Sequence, residues 1–296
     1  MASTALTAEA ERLPTVDALV DRPALRRLVV SDRTALIGLL IIVVAILVAV
    51  AAPLVAPSDP NAQNILAQFQ SPSVHHLLGT DQFGRDELSR IIFGARVSVL
   101  TSLAVGAAIL PIGVLVGTVS GLAGGVVDGA IMRAVDVVLA FPSLLLALAV
   151  AGTLGPGLFH LALAMTAVWW ADYARIVRGL VLAVKEQPYV ESARALGVTR
   201  NRLIFRHVLP NIASPVVVLA TLQTARLLLA LAALSFLGLG VAPPTAEWGS
   251  MLNEGKDFLD TAPQLMLYPG LAITITALGF NLLGEGLRDV LDPSLK

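Results

Sequence analysis

Long apolar runs separated by short polar joints dominate this chain. The opening thirty-odd residues are polar and carry Arg22, Arg26, Arg27 and Arg33; the first apolar run, TALIGLLIIVVAILVAVAAPLVA, starts at Thr34. A spanning helix needs roughly 20 mostly apolar residues, and this run exceeds the apolar core of a cleaved signal peptide, so it predicts a retained helix over 34–56. Later runs predict helices over 97–121, between Arg96 and the glycine-rich GLAGG, and over 131–151 and 158–180, divided at GTLGPG because Gly-Pro-Gly is turn chemistry. A fifth helix is predicted over 213–239, with Ser214 as N-cap and Pro215 at the first helical position, and a sixth over 264–284. The pattern predicts an all-α membrane protein with six transmembrane helices. It divides into a tail over 1–33, the first helix over 34–56, a polar segment over 57–96, a core over 97–285 and a second tail over 286–296.

Composition agrees with a bilayer as the solvent. Of the 296 residues, 56% are hydrophobic and 14% charged, and the mean hydropathy is +0.81; soluble domains carry about 25% charged residues. A soluble core could not hide this much apolar surface. A net charge of −1 offers no basic face for nucleic acid. The absence of cysteine excludes disulfides and thiolate metal sites. His75, His76, His160 and His207 are dispersed and predict no metal site. GSMLNEGKD is a poor phosphate loop: five residues separate its glycines, and Asp257 follows the lysine where Ser or Thr is needed. No ATP site is predicted on this chain.

Cation placement orients the helices. With the N-terminus cytoplasmic, inside segments hold Arg133, Arg175, Arg178, Lys185, Arg194, Arg200, Arg202, Arg206 and Arg288 besides the N-terminal arginines, whereas Arg85, Arg90, Arg96 and Lys256 lie outside. Both termini are therefore expected in the cytoplasm, with 57–96 and 240–263 outside. ESARALGVTRNRLIFRHVLPN, residues 191–211, is then a charged cytoplasmic stretch between the fourth and fifth helices. Pro188 suits a helix first turn and Gly197 a helix C′ position. Tyr189, Ala193 and Leu196 share one face of that short helix. Thr199 caps a second short helix with Ile204, Phe205, Val208 and Leu209 on its apolar side, ended by Pro210. On pattern alone this pair is equally well a basic interfacial loop.

The string E-S-A-R-A-L-G followed by I-F-R-H-V-L-P-N resembles the cytoplasmic EAA loop of ABC importer permeases. Glu191, Ala193, Gly197, Leu209 and Pro210 match it, and Ser192 replaces an alanine. HHLLGTDQFGRDELSRIIFGARVSV (75–99), FPSLLLALAV (141–150), YARIVRG (173–179), LSFLGLGVAPPTAEWGSML (234–252) and FNLLGEGLRDVLDPSLK (280–296) are similar to the C-type permease of the dipeptide, oligopeptide and nickel importers. The resemblance implies the type I ABC importer permease fold and import of short peptides, with nickel or another small solute as the alternative cargo. It implies no catalysis and no cofactor on this chain, with ATP and Mg on two partner ATPase subunits. The other implied partners are a homologous permease subunit and an extracytoplasmic substrate-binding protein. Loop 186–211, with Glu191, Ala193, Arg194, Gly197, Leu209 and Pro210, becomes the ATPase-coupling loop, and Gly238, Gly240 and Trp248 fall in the outer gate region.

Arg226 stands near the middle of the fifth helix, where an arginine costs at least ~2.5–3.5 kcal/mol. It is expected to line the translocation path, meeting a peptide carboxylate, or to pair between subunits. Relatives often carry glutamate where this chain has Leu231, so a polar gate there is not carried over. Asp136 and Asp172 are expected nearer the cytoplasmic helix ends. GTDQFGRDELSR reads as a polar amphipathic helix resting on the outer surface, with Asp86, Glu87 and Arg90 at near-helical spacing. Trp248 suits the outer interface. A self-contained secondary transporter would need repeats and intramembrane acids for ion coupling, and an intramembrane hydrolase a serine or metal constellation; neither is visible.

Overall fold

The computed structural model describes residues 33–291. The expected N-terminal tail, apart from Arg33, and residues 292–296 of the C-terminal tail lie outside the described residues. Helices α1 (Arg33–Val50) and α2 (Ala52–Val55) replace the single helix expected over 34–56. Pro53 lies in the first turn of α2, where its missing N–H is tolerated. The rest is α3 (Glu87–Ala123), α4 (Gly125–Leu139), α5 (Ser143–Leu154), α6 (Leu158–Lys185), α7 (Pro188–Ala195), α8 (Arg200–Leu203), α9 (Leu209–Phe236), α10 (Trp248–Gly255) and α11 (Gln264–Leu291). The described residues contain no strand, only an isolated bridge between Thr80 and Asp86.

Among the described residues four helices are long and apolar enough to cross a bilayer: α1, α3, the continuous helix ending in α9, and α11. The helix expected over 131–151 is instead the bent pair α4 and α5, which meet at 82°. Pro142 stands at the break: it has no N–H to donate, and its own backbone is extended, at ψ 123°. The division at GTLGPG holds, with Gly155 and Gly157 at φ +85° and +144°. Helix α6 has 28 residues, but Asp172, Arg175, Arg178 and Lys185 make its second half polar.

Glycines set which helices touch. Gly113, Gly117 and Gly121 lie one turn apart on α3, and a Cβ there would fall 2.3 Å from Tyr173 Cβ, 2.6 Å from Ala174 O and 2.7 Å from Val181 Cγ1 of α6. This is the small-residue packing by which helices associate in lipid, where hydrophobic transfer between helices is lost and close contact replaces it. The central cluster joins Val105 and Ile109 of α3, Leu161 and Met165 of α6, and Leu227 and Leu231 of α9. Leu231 is fully buried in this cluster. A second cluster joins α1, α3 and α9 to Trp248, Met251, Ile273 and Phe280.

Backbone contacts sort the joints into two ends. Gly157 N donates to Leu239 O at 3.2 Å, bringing the start of α6 to the end of α9. Arg90 donates to Pro244 O at 3.2 Å, placing the start of α3 at the same end. At the opposite end Lys185 Nζ donates to Gly121 O at 3.3 Å, and Ser214 Oγ to Leu291 O at 3.5 Å.

Candidate functional site

The charged hairpin between α6 and α9 is built as a short projecting unit. Pro188 starts α7, and Val190 and Ala193, three residues apart, bury against Val184, Val198 and Leu203. Tyr189 is half-buried, and burial raises its phenol pKa. Leu196 does not join that face: α7 ends at Ala195, and Leu196 is 85% exposed. Gly197 is at φ +77°. Val198 N donates to Ala193 O at 3.2 Å and Gly197 N to Arg194 O at 3.0 Å, the paired bonds of a Schellman ending. Glu191, Ser192, Arg194, Ala195 and Leu196 therefore face outward together, with Phe205 also exposed beyond the turn. Arg202 and Arg206 add an exposed cationic rim.

Pro210 does not end the second helix, and Ser214 does not cap a new one. Ile204–Val208 form a π-helical turn in which Leu209 N reaches back to Ile204 O, and α9 continues through Pro210 and Pro215. The wider turn accommodates the missing proline N–H. Leu209 packs against the cluster of Val177, Val181, Val208 and Ile212. Of the loop residues, Glu191, Arg194 and Gly197 are on the exposed face, Ala193 is beneath it, and Leu209 and Pro210 belong to the half-buried stem.

The other end carries a buried polar lock. GTDQFGRDELSR is not a surface helix: residues 80–86 form a turn, and α3 starts at Glu87, capped by Asp86, whose carboxylate accepts from Ser89 N at 2.8 Å. Arg85 Nε lies 2.5 Å from Asp81 and its Nη2 2.5 Å from Glu254; Arg90 Nη2 lies 3.0 Å from Glu254. The side chains of Arg85 and Arg90 are 1% exposed. Two guanidinium groups this deep require such partners, and they tie the segment before α3 to α10. Sequence reasoning missed Asp81 and Glu254 because they are 173 positions apart; the signal within reach was the turn chemistry of Gly79 and Gly84, at φ +82° and +69°.

Glu247, also missed, is fully buried. Its carboxylate accepts from Gly249 N, Ser250 N and Ser98 Oγ at 2.9, 2.8 and 2.9 Å and so caps α10 on α3. Burial raises its pKa, and these hydrogen bonds oppose the rise. Trp248 is not an interfacial anchor: it is 3% exposed, lies over Gly94 and donates to Ile91 O at 3.0 Å. Gly238, at φ +89°, closes α9 by a second Schellman ending, and Gly240 packs on Ser235. An open cavity of about 360 Å³ adjoins this region, lined in part by Asp59, Phe93, Arg96 and Thr245.

Arg226 stands exposed on α9. It belongs to neither the hairpin nor the lock. Asp172 is not near an end of α6 but close to its middle, where burial, then the charge of Arg175, then that of Arg226 act on it. Arg175 pairs with Asp136, and Arg178 holds Asp128 through two 2.6 Å bonds, joining α4 to α6.

The charged hairpin rooted on two core helices and the polar lock thus lie at opposite ends of one helical bundle with several apolar spans. Comparison with known proteins places this bundle in a family. Residues 109–296 match the model of the binding-protein-dependent transport system inner membrane component, and residues 23–72 match the N-terminal TM domain of oligopeptide transport permease C. The chain is 42% identical over 272 residues to the dipeptide transport system permease protein DppC of Haemophilus influenzae, covering 90% of this chain and 92% of that protein. It is 42% identical over 266 residues to the oligopeptide transport system permease protein OppC of Bacillus subtilis, covering 90% and 87%. It is 41% identical over 266 residues to DppC of Alkalihalophilus pseudofirmus, covering 90% and 88%. The chain belongs to the family of inner membrane components of binding-protein-dependent transport systems.

Proposed function

We propose that this chain is the permease subunit of an ATP-driven importer of short peptides. It pairs with a homologous permease subunit around the translocation path. Two ATPase subunits, carrying ATP and Mg, dock on the cytoplasmic side, and an extracytoplasmic substrate-binding protein delivers the peptide. The named functions of the relatives support a peptide cargo. Both termini are cytoplasmic, and six crossings result when the bent pair α4–α5 and α6 each span the bilayer. Segments 57–96 and 240–263 then form the outer surface, and Gly238, Gly240 and Trp248 flank the outer gate.

The observation that carries the coupling role is the outward face of α7, with Glu191, Arg194 and Leu196 exposed beside the turn at Gly197. The hairpin is continuous with α6 and α9, so displacement of α7 by a closing ATPase pair biases the helix bundle between two packed states. The test is reconstitution of the full complex in proteoliposomes. Labelled dipeptide should accumulate only with ATP, both ATPase subunits and the binding protein. A cysteine replacing Leu196 should cross-link to an ATPase subunit. Accumulation driven by an ion gradient without ATPases would overturn the reading.

A further inference from the structure

Arg226 and Asp172 are opposite charges at similar depth on two helices that meet at one end. Arg226 lies roughly 15 Å from the Phe236 end of α9, and Asp172 roughly 21 Å from the Leu158 end of α6, at 1.5 Å per residue. Those two ends are joined by the Gly157–Leu239 hydrogen bond. Arg226 is exposed and Asp172 half-buried. Burial acts on Asp172 most strongly, then the charge of Arg175 one turn along α6, then that of Arg226, yet neither Asp172 nor Arg226 has an ion-pair partner within 4 Å among the described residues. Arg175 has its own ion-pair partner in Asp136, and Arg178 has Asp128.

An exposed arginine at this depth cannot face lipid without a cost of ~2.5–3.5 kcal/mol or more. The face of α9 that carries it, with exposed Leu229 one turn on, must therefore meet water or protein; Leu222, one turn back, packs on Gly284 of α11. Two uncollapsed opposite charges also keep donors and acceptors available. A free short peptide is itself a dipole, with an ammonium at one end and a carboxylate at the other, roughly 7 Å apart when two residues are extended.

We propose that Arg226 and Asp172 are the two poles of a transient subsite in the translocation path, the guanidinium meeting the peptide carboxylate and the Asp172 carboxylate its ammonium. This rests on the peptide-importer reading. The guanidinium suits a carboxylate by its two-pronged geometry. The pair is neutral overall, so it orients a zwitterion without trapping either charge.

The test uses the reconstituted complex with unchanged binding protein and ATPases, so differences between variants report on the permease alone. Uptake of Ala-Ala is compared with that of its C-terminal amide and its N-acetyl form. Arg226→Met should reduce the preference for free over amidated peptide about tenfold, the loss of one charge-assisted contact, and leave the preference over the N-acetyl form unchanged. Asp172→Asn should do the reverse, and Arg226→Lys should retain part of the preference. Equal loss for all three peptides would overturn the proposal in favour of a structural ion pair with the partner permease. A second measurement keeps both charges: Leu229→Cys, at an exposed position of this cysteine-free chain, should react with a charged, water-soluble thiol reagent and be protected by saturating Ala-Ala. Absence of reaction in a complex that imports Ala-Ala refutes the subsite and spares the importer reading. Absence of any Ala-Ala import by the unmodified complex refutes both.

Discussion

Gly197 is where backbone conformation and coupling meet. Its φ of +77° closes α7, and a Cβ built there meets nothing within 4 Å. Substitution therefore carries no steric conflict with the rest of the chain, and its cost is conformational. Left-handed backbone costs an L-residue about 1–2 kcal/mol, with Asn largely exempt and a β-branched residue worse than alanine. For Gly197→Ala this lowers the ratio of closed to open turns by a factor of about 5–30. Peptide imported per ATP hydrolysed should fall in the order Gly, Asn, Ala, Val, with Asn close to wild type. Parallel measurement of ATP hydrolysis and dipeptide uptake gives the ratio, and co-purification of the ATPase subunits reports assembly. Normal assembly and normal coupling in Gly197→Val would refute the reasoning. So would Gly197→Asn as impaired as Val, because occupied space rather than φ would then be the cause.

Removing Glu254 leaves two guanidinium groups that are 1% exposed short of a partner; Glu254→Ala should cost ~3–5 kcal/mol in denaturant unfolding of the purified complex, and a loss below ~1 kcal/mol would mean the cluster behaves as a surface ion pair. Glu247→Ala withdraws the acceptor from three buried donors and should cost ~2–3 kcal/mol, whereas Glu247→Gln should cost less; equal losses would deny the cap its role. Gly249→Ala puts a Cβ 2.4 Å from Ala232 O and should separate α10 from α9, measured as increased proteolysis of segment 240–263; an unchanged cleavage rate would show that the contact yields freely. Cysteines replacing the exposed Ser73 and Thr245 should react with an impermeant thiol reagent from outside, and one replacing Thr199 should not; the reverse pattern would invert the proposed orientation.

Residue types alone exposed the apolar runs, the break at GTLGPG, the ends at Gly197 and Gly238, and the projecting charged hairpin. These are local matters: apolar length, glycine at positive φ and turn residues act within a few positions of one another. The bend at Pro142 was equally local, yet it was hidden because the surrounding residues are apolar enough to read as one span. The continuity of α8 into α9 through Pro210 was hidden for another reason: a π turn relieves a proline that local rules treat as a stop. Leu196 slipped from the predicted buried face because one residue of helix length decides it.

What only the tertiary structure decided is which distant groups share an environment. The GTDQFGRDELSR charges are interior because Glu254 meets Arg85 and Arg90 from α10, and Trp248 is interior because Gly94 makes room for it. Likewise, that Asp172 and Arg226 lie within electrostatic reach on neighbouring helices depends on the packing of α6 on α9 through Leu161, Met165, Leu227 and Leu231. The sequence by itself determined which stretches are apolar enough to cross lipid and which glycines turn the chain, since those preferences are short-ranged. Pairing of charges and removal of water depend on close approach between helices, and that approach is a property of the packed bundle.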